Sequence, residues 1–361
     1  MVSFCKNTIR YRITNCAGKC IPSICTVILI GCSILVAARV EAERCDQPIS
    51  ICASGGCDSI DNIPYPIVDK ILVLSDVHVC TVCPISDIGM WARRWAAQYV
   101  HRTRNTIVLG DVHTFGGGSN GANVTKFWYK RQINRFRRIT GCNRLSTSNA
   151  PGMKSKCVVL PGNHDLVSDP TKRWLKQFKY QDTYGTFDSG VSYYAINAQN
   201  PIQTNIHNAT LFLSHKPYFV RQGGVALVDS DAHLATLLTN HSFQLALSGD
   251  EHLFSVGMTD FNVTEVIVPS FNPVRAYLTS IEEGCHDRPN CQLGLGFAIL
   301  TVHSNQLIQV TYCHPHSNPY TLHIILIIIA LIYSKLTKQF ISNSMFMIGI
   351  LLIMYTCLLL L

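Results

Sequence analysis

CVVLPGNHD, from Cys157 to Asp165, sets a short apolar run directly before Pro161, Gly162 and the polar triplet Asn163, His164 and Asp165. Such a run stopped by Pro-Gly reads as a buried strand that ends in a turn. It therefore delivers Asn, His and Asp to the carboxyl end of a strand, where open α/β sheets bind their ligands. The same arrangement recurs on both sides. Ile71–Leu74 leads into Asp76 and His78, and Thr106–Leu109 leads into Gly110 and Asp111. Leu211–Leu213 is followed by His215, and Gln244–Leu247 by Gly249, Asp250 and His252. Ser192–Ile196 is a further strand-like run.

Helical patterns lie between the first three strands, over Ile88–Thr103 and Asn123–Ile139. Alternating strands and helices predict an α/β fold with helices on the sheet faces. The later strands come closer together, so the second half is expected to be antiparallel or mixed. No internal repeat and no Gly/Ser-rich linker divides this region, which reads as one domain.

Five strand ends bringing Asp, His or Asn to one edge make a set suited to a pair of metal ions. Hydrolysing an anionic phosphoester at neutral pH needs charge neutralisation and a source of hydroxide, and two cations held close together supply both. Carboxylate and imidazole donors suit Mn²⁺, Fe, Zn²⁺ or Mg²⁺. Asp111 is the candidate bridge, with Gly110 allowing a tight turn beside it. Asn163 offers a neutral carbonyl oxygen that limits the negative charge.

The series DVH, GD, GNHD, SH and GDEH, spanning about Lys70–Phe254, resembles the calcineurin-like metallophosphoesterase signature. The resemblance implies an α/β/β/α sandwich. By position it implies that Asp76, His78 and His252 bind one metal with bridging Asp111, and that Asn163, His215 and Asp250 bind the other. His164 would be the general acid on the leaving alkoxide, with Asp165 orienting it. Mn²⁺ is the first expectation for the two divalent ions. SHKPYF (Ser214–Phe219), LALSGDEH (Leu245–His252) and VPSFNPVR (Val268–Arg275) are similar to the membrane-bound branch that removes ethanolamine phosphate from a mannose of GPI anchors. Two departures stand out: Asp250 replaces the usual His, and Thr114 stands where relatives often carry a carboxylate. His113 either reaches the substrate or packs nearby.

The 361 residues carry a net charge of +8, 14% charged residues and a mean hydropathy of +0.18. The apolar excess is concentrated at the ends. The expected layout is a basic cytosolic tail over 1–22, a signal anchor or signal peptide over 23–40, and a linker or cap over 41–67. A lumenal catalytic domain over 68–315 and a membrane region of one or two helices over 320–361 complete it. A basic flank before an apolar run is the signature of a signal anchor, and about 20 apolar residues span a bilayer. The fold class is thus α/β with N- and C-terminal transmembrane helices.

Ten cysteines between Cys45 and Cys313, among them Cys285 and Cys291, which would close a small loop, suit an oxidising compartment. So do the glycosylation tripeptides at Asn123, Asn208, Asn240 and Asn262. Cys80 and Cys83 have zinc-like spacing but no second pair. The expected location is the endoplasmic reticulum or Golgi membrane, with the domain lumenal and GPI lipid or GPI-anchored proteins as substrate. Nucleic acid is not an expected partner, and the sequence is silent on oligomeric state. Thr125–Thr140 is basic and amphipathic, either a solvated helix face or one that attracts anionic lipid. A generic exoplasmic phosphoesterase and an inactive metal-binding adaptor remain as alternative functions.

Overall fold

The computed structural model describes residues 31, 34–40, 42–51, 65–79, 84–113, 126–142, 157–165, 183–196, 209–217, 220–222, 225–227, 243–252, 254–258, 263–272, 294–304 and 307–314. The chain divides into two units, Ala42–His314 and a second made of Met1–Glu41 with Pro315–Leu361. Of the second unit, residues 34–40 are helical. Among the described residues no helix is long and apolar enough to cross a membrane. The expected spanning region over 320–361 and residues 1–30 lie outside the described residues, as do Cys80, Cys83, Cys285, Cys291 and all four glycosylation asparagines.

Unit Ala42–His314 is built on two six-stranded sheets. The strands are β1 (Ile49–Ile51), β2 (Ile67–Leu74), β3 (Asn105–Val108), β4 (Cys157–Val159), β5 (Thr183–Thr186), β6 (Ser192–Ala195) and β7 (Leu211–Leu213). They continue as β8 (Val220–Gln222), β9 (Val225–Leu227), β10 (Leu245–Ser248), β11 (Ser255–Met258), β12 (Thr264–Ile267), β13 (Phe297–His303) and β14 (Ile308–Cys313). The first sheet has the order β1-β14-β13-β2-β3-β4, parallel through β2-β3-β4 and antiparallel beyond. The second has the order β11-β12-β10-β7-β6-β5, with a parallel centre and antiparallel edges. The later half is therefore mixed. β8 and β9 form a separate hairpin.

Alternation along the strands decides which side chains meet, because successive residues point to opposite faces. Ile71 and Val73, Ile107 and Leu109, and Val158 and Leu160 share one buried cluster with Leu211, Leu213, Leu245, Leu247, Val266 and Val268 of the second sheet. That cluster is the core between the sheets. Leu72 and Leu74 are equally buried but fall outside it; helix α1 (Pro84–His101) packs against β2 and against α2 (Lys126–Thr140).

Proline opens α1, where its missing N–H is no loss. Met90, Ala92, Ala96 and Ala97 are buried on its inner side. α2 buries Ile133, Phe136 and Ile139. It ends on Gly141, whose φ of 75° is the left-handed cap that glycine adopts without strain. The other face of the second sheet carries an aromatic cluster around Tyr194, Phe212 and Phe243. The outer helical layer expected there lies outside the described residues.

Within 41–67, read above as linker or cap, Ile49–Ile51 pairs with β14 as an edge strand of the first sheet. Cys45 is joined to Cys313, 268 residues away, so the two ends of this unit are clasped together. A second disulfide, Cys142–Cys157, ties the loop after α2 to the start of β4.

Candidate metal centre

The chain turns sharply at the carboxyl ends of β2, β3 and β10. Asp76, His78, Asp111, Asp250 and His252 all have positive φ, between 40° and 69°. Non-glycine residues in that region are strained, and such strain persists only where surrounding structure holds it. Here the loops brace one another. His78 N donates to Asp111 O (2.8 Å) and Val79 N to Val112 O (2.9 Å), so the loops after β2 and β3 stay paired beyond the sheet.

The expected residues converge. Ligand atoms of Asp76, His78 and His252 lie within 4.8 Å of one another, as do those of Asp76, Asp111 and His215. Asp76 Oδ2 accepts from Ser75 Oγ (2.5 Å) and from the amide of Asp250 (3.1 Å). Its Oδ1 faces His252 Nε2 at 3.3 Å and His78 Nε2 at 3.7 Å. Asp111 divides its two oxygens between neighbours. Oδ2 lies 3.4 Å from His78 Nε2, whereas Oδ1 lies 3.4 Å from His215 Nε2. Asp250 Oδ1 is 3.3 Å from His215 Nε2 on that second side, so the unusual carboxylate is aimed into the centre. His164 sits at the rim, its side chain 20% exposed and its Nε2 3.8 Å from Asp111 Oδ2.

Two imidazoles are oriented from behind. His215 Nδ1 lies 2.6 Å from the carbonyl of Leu109, and His78 Nδ1 lies 3.3 Å from that of His113. A hydrogen bond at Nδ1 fixes the tautomer and leaves Nε2 as the donor atom for a metal.

The spacing permits no extra bulk. A Cβ on Gly162 would fall 2.0 Å from Asp111 Oδ1, and one on Gly249 would fall 1.9 Å from Ser75 Oγ.

Electrostatically, the histidines are what offset the buried carboxylates of the cluster. Burial pushes the Asp111 carboxyl well above its ordinary range, His215 opposes that shift, and Asp76 and Asp165 reinforce it. For Asp76 burial pulls the same way but is outweighed by His252, His215 and His78, which hold it below the usual carboxylate range. His215, although burial disfavours its charge, is held well above its ordinary value by Asp111 and Asp250. Asp76 Oδ1 and Asn163 Oδ1 are buried and make no hydrogen bond. Buried polar oxygens left this way are costly unless a cation meets them. The residues present therefore fit a pair of divalent ions.

Two features were not anticipated from the sequence, and a third decides between alternatives left open. Asp165 was expected to orient His164, but its carboxylate accepts the backbone amides of Val112 (3.1 Å), His113 (3.1 Å) and Gly162 (2.9 Å). It clamps the GNHD loop to the GD loop, and burial raises it to about 7 against the pull of those amides. His113 is packed away from the centre. It is buried, faces Gln132 Oε1 at 3.1 Å, and burial lowers it to about 4, which keeps the ring neutral.

The second unanticipated feature is the brace after β12. Ser270 Oγ donates to Asp76 O (3.0 Å), and Asn272 Nδ2 donates to Val77 O (3.1 Å) and His78 O (2.8 Å). The VPSFN stretch was noted only as a resemblance. A short polar pair after a buried strand was the available signal.

A family model of the calcineurin-like phosphoesterases matches residues 69–254, just over half of the chain. The chain belongs to this family and is a metal-dependent phosphoester hydrolase. The comparison with curated proteins finds no match. Similar solved structures include a dimetal phosphatase of Danio rerio, at 9% identity and a TM-score of 0.42, covering 69% of this chain and 97% of that one. They also include Vps29 complexed with zinc from Entamoeba histolytica (11% identity, TM-score 0.32, covering 68% and 92%). Chaetomium thermophilum Vps29 is similar at 10% identity and a TM-score of 0.29, covering 69% and 98%.

Proposed function

We propose that the chain is a two-metal phosphodiesterase that acts at a membrane of the secretory pathway, removing ethanolamine phosphate from a mannose of GPI lipid or GPI-anchored proteins. The observation that carries the two-metal reading is the split of Asp111, with Oδ2 toward His78 and Oδ1 toward His215. Asp76, His78, His252 and Asp111 Oδ2 would hold one cation, and Asp111 Oδ1, His215, Asp250 and Asn163 the other. Bound there, divalent ions neutralise the phosphate and make water nucleophilic at neutral pH.

The chain's own residues do the rest. His164, partly exposed beside Asp111, is placed to give a proton to the departing alkoxide. Its backbone amide donates to Asp111 Oδ1 (2.9 Å), which ties the acid to the bridge. The buried loops beneath hold these side chains in place before substrate arrives, which is where positioning contributes to rate.

Two sequence features support the narrower substrate. The motifs SHKPYF, LALSGDEH and VPSFNPVR resemble the GPI-remodelling branch, and apolar runs stand at both ends of the chain. The expected transmembrane segments and lumenal location are part of the proposal.

The test is hydrolysis by the full chain, purified with Mn²⁺, of a mannose-linked ethanolamine phosphate glycan beside bis-p-nitrophenyl phosphate. Cleavage of both supports the reading. Cleavage of only the generic ester removes the GPI assignment, and cleavage of neither removes the enzyme.

A further inference from the structure

Two residues beyond His252, the chain rests on an aromatic ring from the other sheet. Phe254 stacks on Tyr312 of β14, with 4.0 Å between ring centroids and 2° between ring planes. Tyr312 is 1% exposed. Burial, with Asp46 adding to it, raises its pKa, so the phenol keeps its proton and donates to the carbonyl of Leu295 (3.1 Å). The slot is tight: a Cβ on Gly296 would fall 2.5 Å from the Tyr312 ring. An interior packed this closely passes the displacement of one side chain on to its neighbours.

Tyr312 is thereby joined to both loops that bring Asp76 and His252 within 3.3 Å of each other. One path is Phe254, just after His252. The other runs through Leu295, which bridges to Ser270. Gly296 N donates to Ser270 O (3.2 Å), and Ser270 Oγ donates to Asp76 O (3.0 Å). The opposite end of the His252 loop is secured elsewhere, because Gly249 N donates to His215 O (2.9 Å). Tyr312 is held in turn from the side away from the metal centre. His314 stacks on it at 4.8 Å and pairs with Asp46 Oδ1 (3.1 Å). Asp46 N donates to Tyr312 O (2.8 Å), and the Cys45–Cys313 disulfide locks these two short segments together.

We propose that Tyr312 is a positioning residue for the metal ion on Asp76, His78 and His252, and that the Cys45–Cys313 clasp holds Tyr312 in that role. Residues behind the ligands set how well the ligands meet a metal, and losing one weakens binding. Here the ring stack acts on His252 and the Leu295–Ser270 link acts on Asp76, so the effect falls on one of the two ions. A ring that only filled the core would lower stability without choosing between them. The inference rests on the two-metal reading and is independent of the substrate.

The experiment is calorimetric titration of the purified full chain with Mn²⁺, with bound ions counted by elemental analysis and folding followed by circular dichroism. Tyr312→Leu is expected to weaken one Mn²⁺ by about tenfold and to leave the other at its wild-type affinity. Tyr312→Phe keeps the ring on Phe254 and is expected to recover most of that loss. Phe254→Leu removes the same stack from its half-buried partner; it is expected to act like Tyr312→Leu and decides the matter if that variant does not fold. The double variant Cys45→Ser, Cys313→Ser is expected to weaken the same ion. In Asp250→Ala, where the remaining ion is the one on Asp76, His78 and His252, adding Tyr312→Leu is expected to weaken that ion by the same factor. Equal weakening of both ions, or lower stability with both affinities unchanged, overturns the inference and leaves the two-metal reading standing. A wild-type chain that binds a single ion overturns both.

Discussion

Asn272 hands both protons of its side-chain amide to the loop that carries His78, 2.8 Å from the carbonyl of His78 and 3.1 Å from that of Val77. Both residues are buried, and His78 has a φ of 40°. A strained turn that presents imidazole and carboxylate together is held from below by a residue nearly two hundred positions further along the chain.

Replacing that amide is therefore expected to loosen the centre as well as the fold. Asn272→Ala leaves two buried carbonyls without donors, at about 1–3 kcal/mol each. Chemical denaturation of the metal-free chain measures this loss. Metal affinity is expected to weaken about 10–100-fold, the usual consequence of losing a residue that orients a ligand. Titration with Mn²⁺ checks it, and excess Mn²⁺ should recover much of the activity. A purely structural role would lower stability without changing affinity.

Gly162 is a test by crowding. Its Cα stands so close to Asp111 that a methyl group would contact both Oδ1 (2.0 Å) and the backbone nitrogen (2.3 Å). Gly162→Ala has to move the bridge, and displacement of about 1 Å costs about 100-fold in rate. Steady-state hydrolysis of bis-p-nitrophenyl phosphate reads the effect in kcat.

Asp250 departs from the family pattern, yet its carboxylate lies 3.3 Å from His215 Nε2. Asp250→Ala is expected to reduce bound metal from two ions toward one, counted by elemental analysis, and to lower activity at least about tenfold. Asp250→His should keep both ions. A gain of activity in Asp250→His from an inert starting protein would instead identify the natural chain as an adaptor.

His101 gives a pH signature independent of the metals. It is packed against the Cys45–Cys313 clasp, with Nε2 2.7 Å from the carbonyl of Ala42. Burial lowers its pKa below 6.5, with Lys70 adding to the effect and the Ala42 carbonyl opposing it. The unfolded chain then takes up the proton first, so stability is full above about 6.5 and falls as pH drops through the folded value. Thermal melts between about pH 7.5 and 5 are expected to show this decline and to flatten in His101→Gln. An unchanged slope would contradict it.

The strand ends were legible because each couples a local apolar run to a polar turn, a signal that needs no knowledge of partners. Asp76, Asp111, His215 and His252 meet for that reason. What escaped the sequence depends on distant pairing. β1 gains its identity only from β14, and Cys45 from Cys313. β13 sits beside β2 although 223 residues separate Leu74 from Phe297 in number. Asp165 was misjudged, and the choice for His113 stayed open, because side-chain direction at a turn is set by the elements packed against it. For Asp165 the opposing loop offers two amides, and for His113 it is α2 that offers Gln132.

The central claim is that one carboxylate, Asp111, links two cations. Electron paramagnetic resonance of the Mn²⁺-loaded full chain tests it most directly. An exchange-coupled pair, with two Mn²⁺ bound per chain and the coupling abolished in Asp111→Ala, is the expected spectrum. A signal of isolated Mn²⁺ alone, unchanged by that substitution, would contradict the account.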